Sequence, residues 1–318
     1  MAKNKVGKKT SLKAALSSQQ TRLKKKQEAA HAADLINKAT QSKAKGKAKA
    51  TPLRPTIPFH STDRILLIGE GNFSFAHALV ADPPANLEYL PGANVTATAY
   101  DTEVECYGKY PDAAGIVNVL RERGMEVLFG VDATKLEKCA ALKGRRWDRI
   151  VWNFPHAGKG IADQDRNILS NQLLLLRFLR STAHFLAAGP TPSVNQKRNH
   201  KRTEDDDGDD APSDAEEDAL DGDQGNTSIK TRGTVLITLR DVLPYTAWDV
   251  PKLAKNPPPP SGNEEPSPRY IQLRSFVFHR KLWKGYGHRM TKGERAHGQG
   301  TTGHGGEDRT WEFCLADS

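Results

Sequence analysis

The chain has 318 residues, a formal net charge of +9 and three cysteines. This length accommodates one large domain or two, and three isolated cysteines without a CxxC pair support neither a disulfide framework nor a zinc site, so we expect a reducing compartment and no metal. No apolar run approaches the roughly 20 residues of a membrane span, and the Lys-rich N-terminus lacks the apolar core of a signal peptide, so we expect no membrane association.

Charge is distributed unevenly along the chain. Residues 1–60 carry a net charge of +13 and almost no large apolar side chains, which predicts a disordered basic tail. This tail is either a solvated segment or a nuclear address and RNA-binding arm centred on Lys24–Lys26, and we favour the second interpretation. Residues 204–223 carry −12 and lie in a Pro-rich, charged segment, 190–232, predicted to be a disordered insertion or spacer. Subtracting both segments leaves a net +8 on residues 61–203 and 224–318, so the predicted domain, residues 61–318, is basic outside its acidic run and suits a polyanionic partner.

The strongest local pattern is a strand, a glycine turn and a helix in that order. Ile65–Ile68 is a short run of branched apolar residues, typical of a strand buried on both faces. Gly69 and Gly71 let the chain turn sharply and let a ligand approach the backbone. A helix is predicted to begin at Phe73, which places the ligand at the helix N-terminus.

The same alternation continues along the chain. Further strands are predicted at Asn94–Tyr100, Glu126–Val131, Arg149–Trp152 and Thr234–Leu239, and helices at Ala113–Glu122 and Asp163–Phe185. Leu273–Phe278 and Thr310–Cys314 flank a Gly- and His-rich loop and predict an antiparallel hairpin. The fold class that follows is α/β: a Rossmann-like, doubly wound, mostly parallel seven-stranded sheet with a C-terminal antiparallel hairpin.

Polar residues follow four of these strands. Gly69–Gly71 follows the first strand, Asp101 the second, Asp132 the third and Asn153–His156 the fourth. Ligands of open parallel sheets bind along that edge, where one acid can bond a ribose and another an adenine amino group. Each acid alone could equally be a helix cap, but the ordered set of four favours a site for an adenosine-containing cofactor.

Several longer stretches carry a resemblance to a known family. They are GEGNFSF (Gly69–Phe75), ATAYD (Ala97–Asp101), FGVDATKL (Phe129–Leu136), WDRIVWNFPHAGKGI (Trp147–Ile161) and GYGHRMTKG (Gly285–Gly293). With these, the chain resembles the fungal and plant 25S ribosomal RNA (uridine-N3)-methyltransferases, the Bmt-type domain, within the class I S-adenosylmethionine-dependent methyltransferases. The resemblance covers about residues 62–188 and 232–294.

The resemblance implies methyl transfer from S-adenosylmethionine to N3 of a uridine in large-subunit rRNA by a nuclear, nucleolar and monomeric enzyme of ribosome biogenesis. Since N3 lies on the Watson–Crick edge, the uridine must be unpaired or flipped. Phe154 is predicted to stack on the uracil and Asn153 to bond O4 or O2, with His156 or Asp163 taking the N3 proton. The predicted catalytic residues are Asn153, Phe154, Pro155, His156 and Asp163. The predicted cofactor-binding residues are Gly69, Glu70, Gly71, Asn72, Phe73, Ser74, Asp101, Asp132 and Ala133.

Other interpretations remain beside this one. A nicotinamide-dependent oxidoreductase shares the strand–glycine–helix opening, but GEGNFS lacks the third glycine of GxGxxG. A non-catalytic rRNA-binding assembly factor with the same fold is the main alternative function. The basic and aromatic stretch His279–Arg289 is either a surface for single-stranded RNA or an ordinary loop in which Trp283 covers the core. His297 and His304 lack further ligands at metal-binding spacing.

Overall fold

A computed structural model of the chain describes residues 55–192, 231–259, 266–291 and 306–317. The basic segment up to residue 54, the acidic run 204–223, and His297 and His304 lie outside the described residues. Within them the strands are β1 (Ile65–Ile68), β2 (Val95–Thr98), β3 (Glu126–Leu128), β4 (Arg149–Asn153), β5 (Thr234–Arg240), β6 (Tyr270–Val277) and β7 (Asp308–Leu315). The α-helices are α1 (Ser74–Val80), α2 (Glu103–Lys109), α3 (Ala113–Glu122), α4 (Gln164–Thr182) and α5 (Val250–Lys255).

The strands of the described residues form one sheet in the order β3-β2-β1-β4-β5-β7-β6. β1 pairs in parallel with both β2 and β4, and β3 and β5 extend the parallel part on either side. β7 is antiparallel to β5 and to β6. This confirms the predicted doubly wound sheet with an antiparallel C-terminal hairpin. The strand order reverses between β1 and β4, so a ligand site is expected where the carboxyl ends of these two strands diverge.

The alternation of side chains along β1 explains why this strand is central. All four of its residues are buried, with Ile65 and Leu67 in the core on one face and Leu66 and Ile68 in the core on the other. Burial of each such side chain stabilises the fold by about 1.5–3 kcal/mol. A strand covered on both faces has no solvent-facing side, and the carboxyl edge of the sheet is left for ligands.

Among the boundaries that differ from the predictions, the end of β3 and the start of the domain have clear local reasons. β3 ends at Leu128, not at Val131, because Gly130 adopts a left-handed conformation (φ +69°) that interrupts the pairing with β2. The N–H of Val131 then resumes it by donating to Ala99 O at 2.9 Å. The predicted start of the domain at residue 61 is also late, because Phe59 is buried and contacts Trp283 with ring centroids 5.8 Å apart.

Two helices that follow strands of the parallel sheet, α2 and α4, begin at side-chain caps. α2 was not predicted; it begins with a reciprocal capping box between Thr102 and Glu105. Asp163 caps α4, which ends at Thr182 and is followed by a 3₁₀ turn, Ala183–Phe185. In the part of the chain that is described, no helix combines the length and the apolar character that crossing a bilayer requires.

Candidate functional site

A cavity of about 750 Å³ lies at the carboxyl edge of the sheet. This is within the roughly 300–1,000 Å³ of small-molecule and cofactor sites. One side of it, the β1–β3 side, is formed by the residues that follow β1, β2 and β3. The opposite side, the β4–α4 side, is formed by the end of β4, the turn 153–159 and one face of α4. A third wall comes from residues 286–291 near the end of the chain.

The glycine turn after β1 lines the β1–β3 side. Gly69 has φ +64°, and a Cβ there would lie 2.7 Å from the indole nitrogen of Trp152, so a larger residue fits neither the backbone nor the space. A Cβ on Gly71 would lie 3.3 Å from the Cβ of Arg289 and 3.5 Å from the Tyr110 ring. The packing of the protein itself therefore favours glycine at both positions, in addition to any need to leave space for a ligand.

The residues that follow the glycines fix the entry to α1. Asn72 is buried; its amide donates to Asp112 Oδ2 at 2.8 Å and its Oδ1 accepts the Ser74 N–H at 3.2 Å. Phe73 precedes the helix in a left-handed conformation (φ 61°) with its ring fully buried, so it supports the turn from below and does not line the cavity. Ser74 Oγ donates to Gly287 O at 3.1 Å and accepts the Gly287 N–H at 3.2 Å.

Glu70 is an acidic side chain with an unusual environment on this side. It is half-buried and lines the cavity, and its Oε2 accepts the Ala76 N–H at 3.4 Å. Burial raises the pKa of the Glu70 carboxyl to about 7, although backbone hydrogen bonds to Ala76 and Phe75 act in the opposite direction. Glu70 therefore exchanges a proton near neutral pH.

The two predicted acids both line the cavity, and both are held by neighbours. Asp101 accepts a charge-assisted hydrogen bond from Lys109 Nζ at 2.6 Å. Asp132 Oδ1 accepts from the backbone N–H of Thr134 at 2.9 Å and from its hydroxyl at 2.7 Å. Its other oxygen lies 4.0 Å from Lys135 Nζ. Ala133, beside Asp132, also lines the cavity. The predicted cofactor-binding residues other than Phe73 are thus gathered on one side.

The β4–α4 side contains polar groups that have no partner. Both side-chain atoms of the Asn153 amide, Nδ2 and Oδ1, are buried without a hydrogen bond to any described residue, and so is Ser170 Oγ on α4. Both residues line the cavity. A buried polar atom left unpaired costs about 1–3 kcal/mol. These atoms are explained if a ligand supplies the missing donors and acceptors.

Phe154 follows Asn153 in a left-handed conformation (φ 53°), which is strained for a bulky residue. Its ring lies 4.5 Å from the His288 ring, and the Arg280 guanidinium carbon lies 4.9 Å from the Phe154 centroid. Phe154 lines the cavity, whereas Pro155 is buried behind the turn and does not. The strained turn therefore directs an already supported aromatic ring toward the ligand space.

His156 lines the cavity with its two ring nitrogens in different roles. Nδ1 accepts the backbone N–H of Gly158 at 2.9 Å. Burial lowers the pKa of the ring, so it is neutral at physiological pH. A neutral imidazole whose Nδ1 is an acceptor carries its proton on Nε2, which is then a donor. This hydrogen bond favours a donor role for His156 over the predicted role as the base that takes the N3 proton, because the Nδ1 lone pair is already engaged by Gly158.

Asp163, the other predicted base, lies away from the cavity. Its Oδ1 accepts the Arg166 N–H at 2.8 Å as the cap of α4, and the residue is exposed. It is not among the lining residues. A part in proton transfer would require Asp163 to leave that cap.

The wall formed by residues 286–291 was missed as a part of the site. Tyr110 Oη donates to Met290 O at 2.8 Å, and Arg289 Nη2 donates to Asp112 Oδ2 at 2.7 Å. Burial and the nearby Arg280 lower the pKa of His288 to about 4, so this ring is neutral as well. Upstream, Trp283 is buried against Phe59 and Phe75. The alternative interpretation of the stretch 279–289 is therefore correct for Trp283, since its ring covers the core.

The chain is similar to several known proteins. Residues 66–290 match the family model described as rRNA (uridine-N3-)-methyltransferase BTM5-like. The 25S rRNA (uridine(2634)-N(3))-methyltransferase of Saccharomyces cerevisiae is 28% identical over 259 residues, which cover 75% of this chain and 69% of the yeast protein. The mouse ferredoxin-fold anticodon-binding domain-containing protein 1 homolog is 41% identical over 124 residues, 39% of this chain but only 18% of the mouse protein.

Proposed function

This chain belongs to the rRNA (uridine-N3-)-methyltransferase BTM5-like family, and from that membership we propose that it methylates N3 of a uridine in large-subunit rRNA with S-adenosylmethionine as methyl donor. The yeast relative, whose name states this modification, aligns with three quarters of the chain. A nuclear, nucleolar site of action, a pre-ribosomal partner and a monomeric state belong to the same proposal.

The residues on the β1–β3 side fit the proposed cofactor. The glycine turn leaves backbone exposed to a ligand, Asp101 offers acceptor oxygens to ribose hydroxyls, and Asp132 Oδ2 offers one to an adenine amino group. Glu70 would face the cationic end of the cofactor. When bound, S-adenosylmethionine supplies a methyl group on a positively charged sulfur, which makes that methyl electrophilic.

The acceptor chemistry requires that the uracil imide lose a proton. Uridine N3–H is acidic only in the range of a phenol, at a pKa of about 10, so little of it is ionised at neutral pH. Ionisation spreads negative charge over N3, O2 and O4. Groups that donate hydrogen bonds to O2 and O4 therefore lower the pKa of the imide and leave N3 as the nucleophile, with its proton passing to water.

Two side chains of the β4–α4 side are suited to this task. Asn153 Nδ2 is a buried donor without a partner among the described residues, and His156 presents Nε2–H because its Nδ1 is occupied by Gly158. We assign both as donors to the uracil oxygens, with the Phe154 ring supporting the base. Neutral donors stabilise the negative charge that develops on the uracil and do not take the proton themselves. A side chain that acted as the base would need a free lone pair to accept the N3 proton.

The observation that carries this proposal is the Asn153 amide at the carboxyl end of β4, which has no hydrogen-bond partner among the residues that the structure describes. The direct test incubates the purified protein with S-adenosylmethionine and large-subunit rRNA fragments and identifies the methylated nucleoside by mass spectrometry. The expected product is N3-methyluridine. A methyl group on carbon 5 or on the ribose would contradict the acceptor assignment, and RNA binding without methyl transfer would favour the assembly-factor alternative.

A further inference from the structure

One face of α4, beside the cavity, combines exposed leucines with arginines that form no ion pair within the described ranges. Leu169 and Leu173 are 56% and 44% exposed, although both occur in the apolar part of the helix. Arg166 and Arg177 are exposed and flank them. The four residues follow one another at steps of three, four and four positions, so they lie on one side of the helix. We call these four residues the α4 stripe.

The α4 stripe borders the cavity. Leu173 and Arg177 line it together with Ser170 and Leu174 of the same helix. Lys159, at the end of the turn that follows β4, is exposed and lines the cavity as well. A base on the β4–α4 side of the cavity therefore lies beside Leu173 and Arg177 of this stripe.

The charges of the α4 stripe are available to a partner. Many basic side chains of the described residues are held in ion pairs, such as Arg145 with Glu126 and Arg280 with Asp308. Arg166, Arg177 and Lys159 form none with the described part of the chain. Arg166 and Arg177 are eleven residues apart, about 16 Å along the helix. Such a span suits a phosphate backbone.

On these grounds we propose that the α4 stripe is the surface that docks the RNA strand on entry to the cavity, an inference that rests on the proposed function. Arg166 and Arg177 bind phosphates on the two sides of the target nucleotide. Leu173, at the rim, packs against the base beside the extruded uridine and occupies space that the uridine leaves in the stack. Because Leu169 and Leu173 lie between Arg166 and Arg177, this surface offers apolar contacts to a base as well as positive charge to phosphates.

The charge reversal Arg166→Glu with Arg177→Glu tests the phosphate contacts. Binding of a short single-stranded RNA containing one uridine is measured by fluorescence anisotropy over a range of salt concentrations. We expect at least about a tenfold loss of affinity and a flatter salt dependence, since each phosphate contact contributes about 0.7 to the slope for single strands. The matched control is Lys143→Glu with Arg146→Glu, an equal charge change at exposed residues that do not line the cavity. Equal losses in both variants, or none in the stripe variant, would overturn the proposal.

The Leu173→Ala variant tests the apolar contact. We expect kcat/KM to fall about tenfold on a uridine stacked within a structured RNA and to change little on a flexible oligouridine, which pays no unstacking cost. Ile271→Ala is the control, because Ile271 is 41% exposed on β6 and does not line the cavity. A similar loss on both RNAs would contradict the role of Leu173.

The result separates this inference from the proposed function. If the wild type forms N3-methyluridine and the stripe variants bind RNA normally, only the docking surface is wrong. If no N3-methyluridine forms while the reversal still abolishes RNA binding, the docking surface stands and the reaction is wrong. Calorimetric affinity for S-adenosylhomocysteine, measured in every variant, shows that the β1–β3 side is intact.

Discussion

The two sides of the cavity differ in how their polar groups are satisfied. On the β1–β3 side, Asp101 is bound by Lys109 and Asp132 by Thr134 before any ligand arrives. On the β4–α4 side, the Asn153 amide and the Ser170 hydroxyl have no partner in the described part of the chain. A preorganised side suits a cofactor of constant structure. In the proposed function the substrate completes the other side, and the residues of that side contribute to the reaction more than to the fold.

The largest expected effect is that of Asn153→Ala. Loss of one preorganised donor to a developing oxyanion reduces kcat about 100-fold or more. Thermal stability changes little, because this amide forms no hydrogen bond with the described residues. Single-turnover kinetics and thermal unfolding of the same preparation check both statements. A large loss of stability with a small loss of rate would show that the amide has a structural role, and the comparison of the two sides would fail.

Asp132→Ala should act in the opposite way. It removes the acceptor of two Thr134 hydrogen bonds and the proposed adenine contact together, so both stability and cofactor affinity fall. We expect about 1–3 kcal/mol in affinity for S-adenosylhomocysteine, measured by calorimetry. The variant Thr134→Val, which keeps the carboxylate but removes the hydroxyl donor, should lose stability with a smaller change in affinity.

His156→Ala should lose about tenfold in rate at every pH, because it removes a hydrogen-bond donor to a charged group. The variant His156→Gln should recover part of this loss, since the glutamine amide N–H takes the place of the Nε2–H of His156. A full pH–rate profile distinguishes the roles. If the loss disappears at high pH, where uridine ionises by itself, His156 is the base after all.

The variant Asp163→Asn keeps the helix cap. A loss of rate in that variant that is recovered at high pH would make Asp163 the base.

The smallest expected effect is the pH dependence of cofactor affinity that Glu70 confers. Its pKa is raised to about 7 in the free protein, so the ionised form that favours a cationic cofactor increases through neutrality. Affinity for S-adenosylmethionine should rise up to about tenfold between about pH 6 and pH 8. In Glu70→Gln it should be independent of pH. The raised pKa also means that the folded state binds a proton more tightly, so wild-type stability falls as the pH rises from the ordinary glutamate pKa towards 7.

Much of the fold could be predicted because its signals are local. The apolar composition of Ile65–Ile68 and of the residues around Val151 predicts two buried strands. The acids that follow β2 and β3 indicate the edge of the sheet where a ligand binds. α2 gave no such signal, since only Cys106 of its seven residues is buried. Its capping box, Thr102 and Glu105, was the one clue in the sequence, and it was overlooked.

The parts of the site that could not be predicted depend on contacts distant in sequence. The motif GYGHRMTKG draws attention to the segment around Tyr286 but does not indicate that it is a wall of the cavity. The Ser74–Gly287 and Tyr110–Met290 hydrogen bonds hold this segment in place, and they join positions that are 213 and 180 residues apart in the sequence. The role of His156 depends on one hydrogen bond from Gly158 that fixes its tautomer. The sequence identifies the imidazole, but only the three-dimensional arrangement shows which nitrogen is engaged by the backbone.

The hydrogen bonds between Ser74 and Gly287 also constrain how the protein is made. The ribosome delivers the chain from the N-terminus, so the glycine turn emerges long before the segment that closes over it. A nascent chain that has released β1 to β4 has most of its parallel sheet but lacks one wall of the cavity. If the cofactor binds as proposed, a product truncated after α4 lacks residues 286–291, so we expect the ligand to protect it from proteolysis less than it protects a chain that contains this wall.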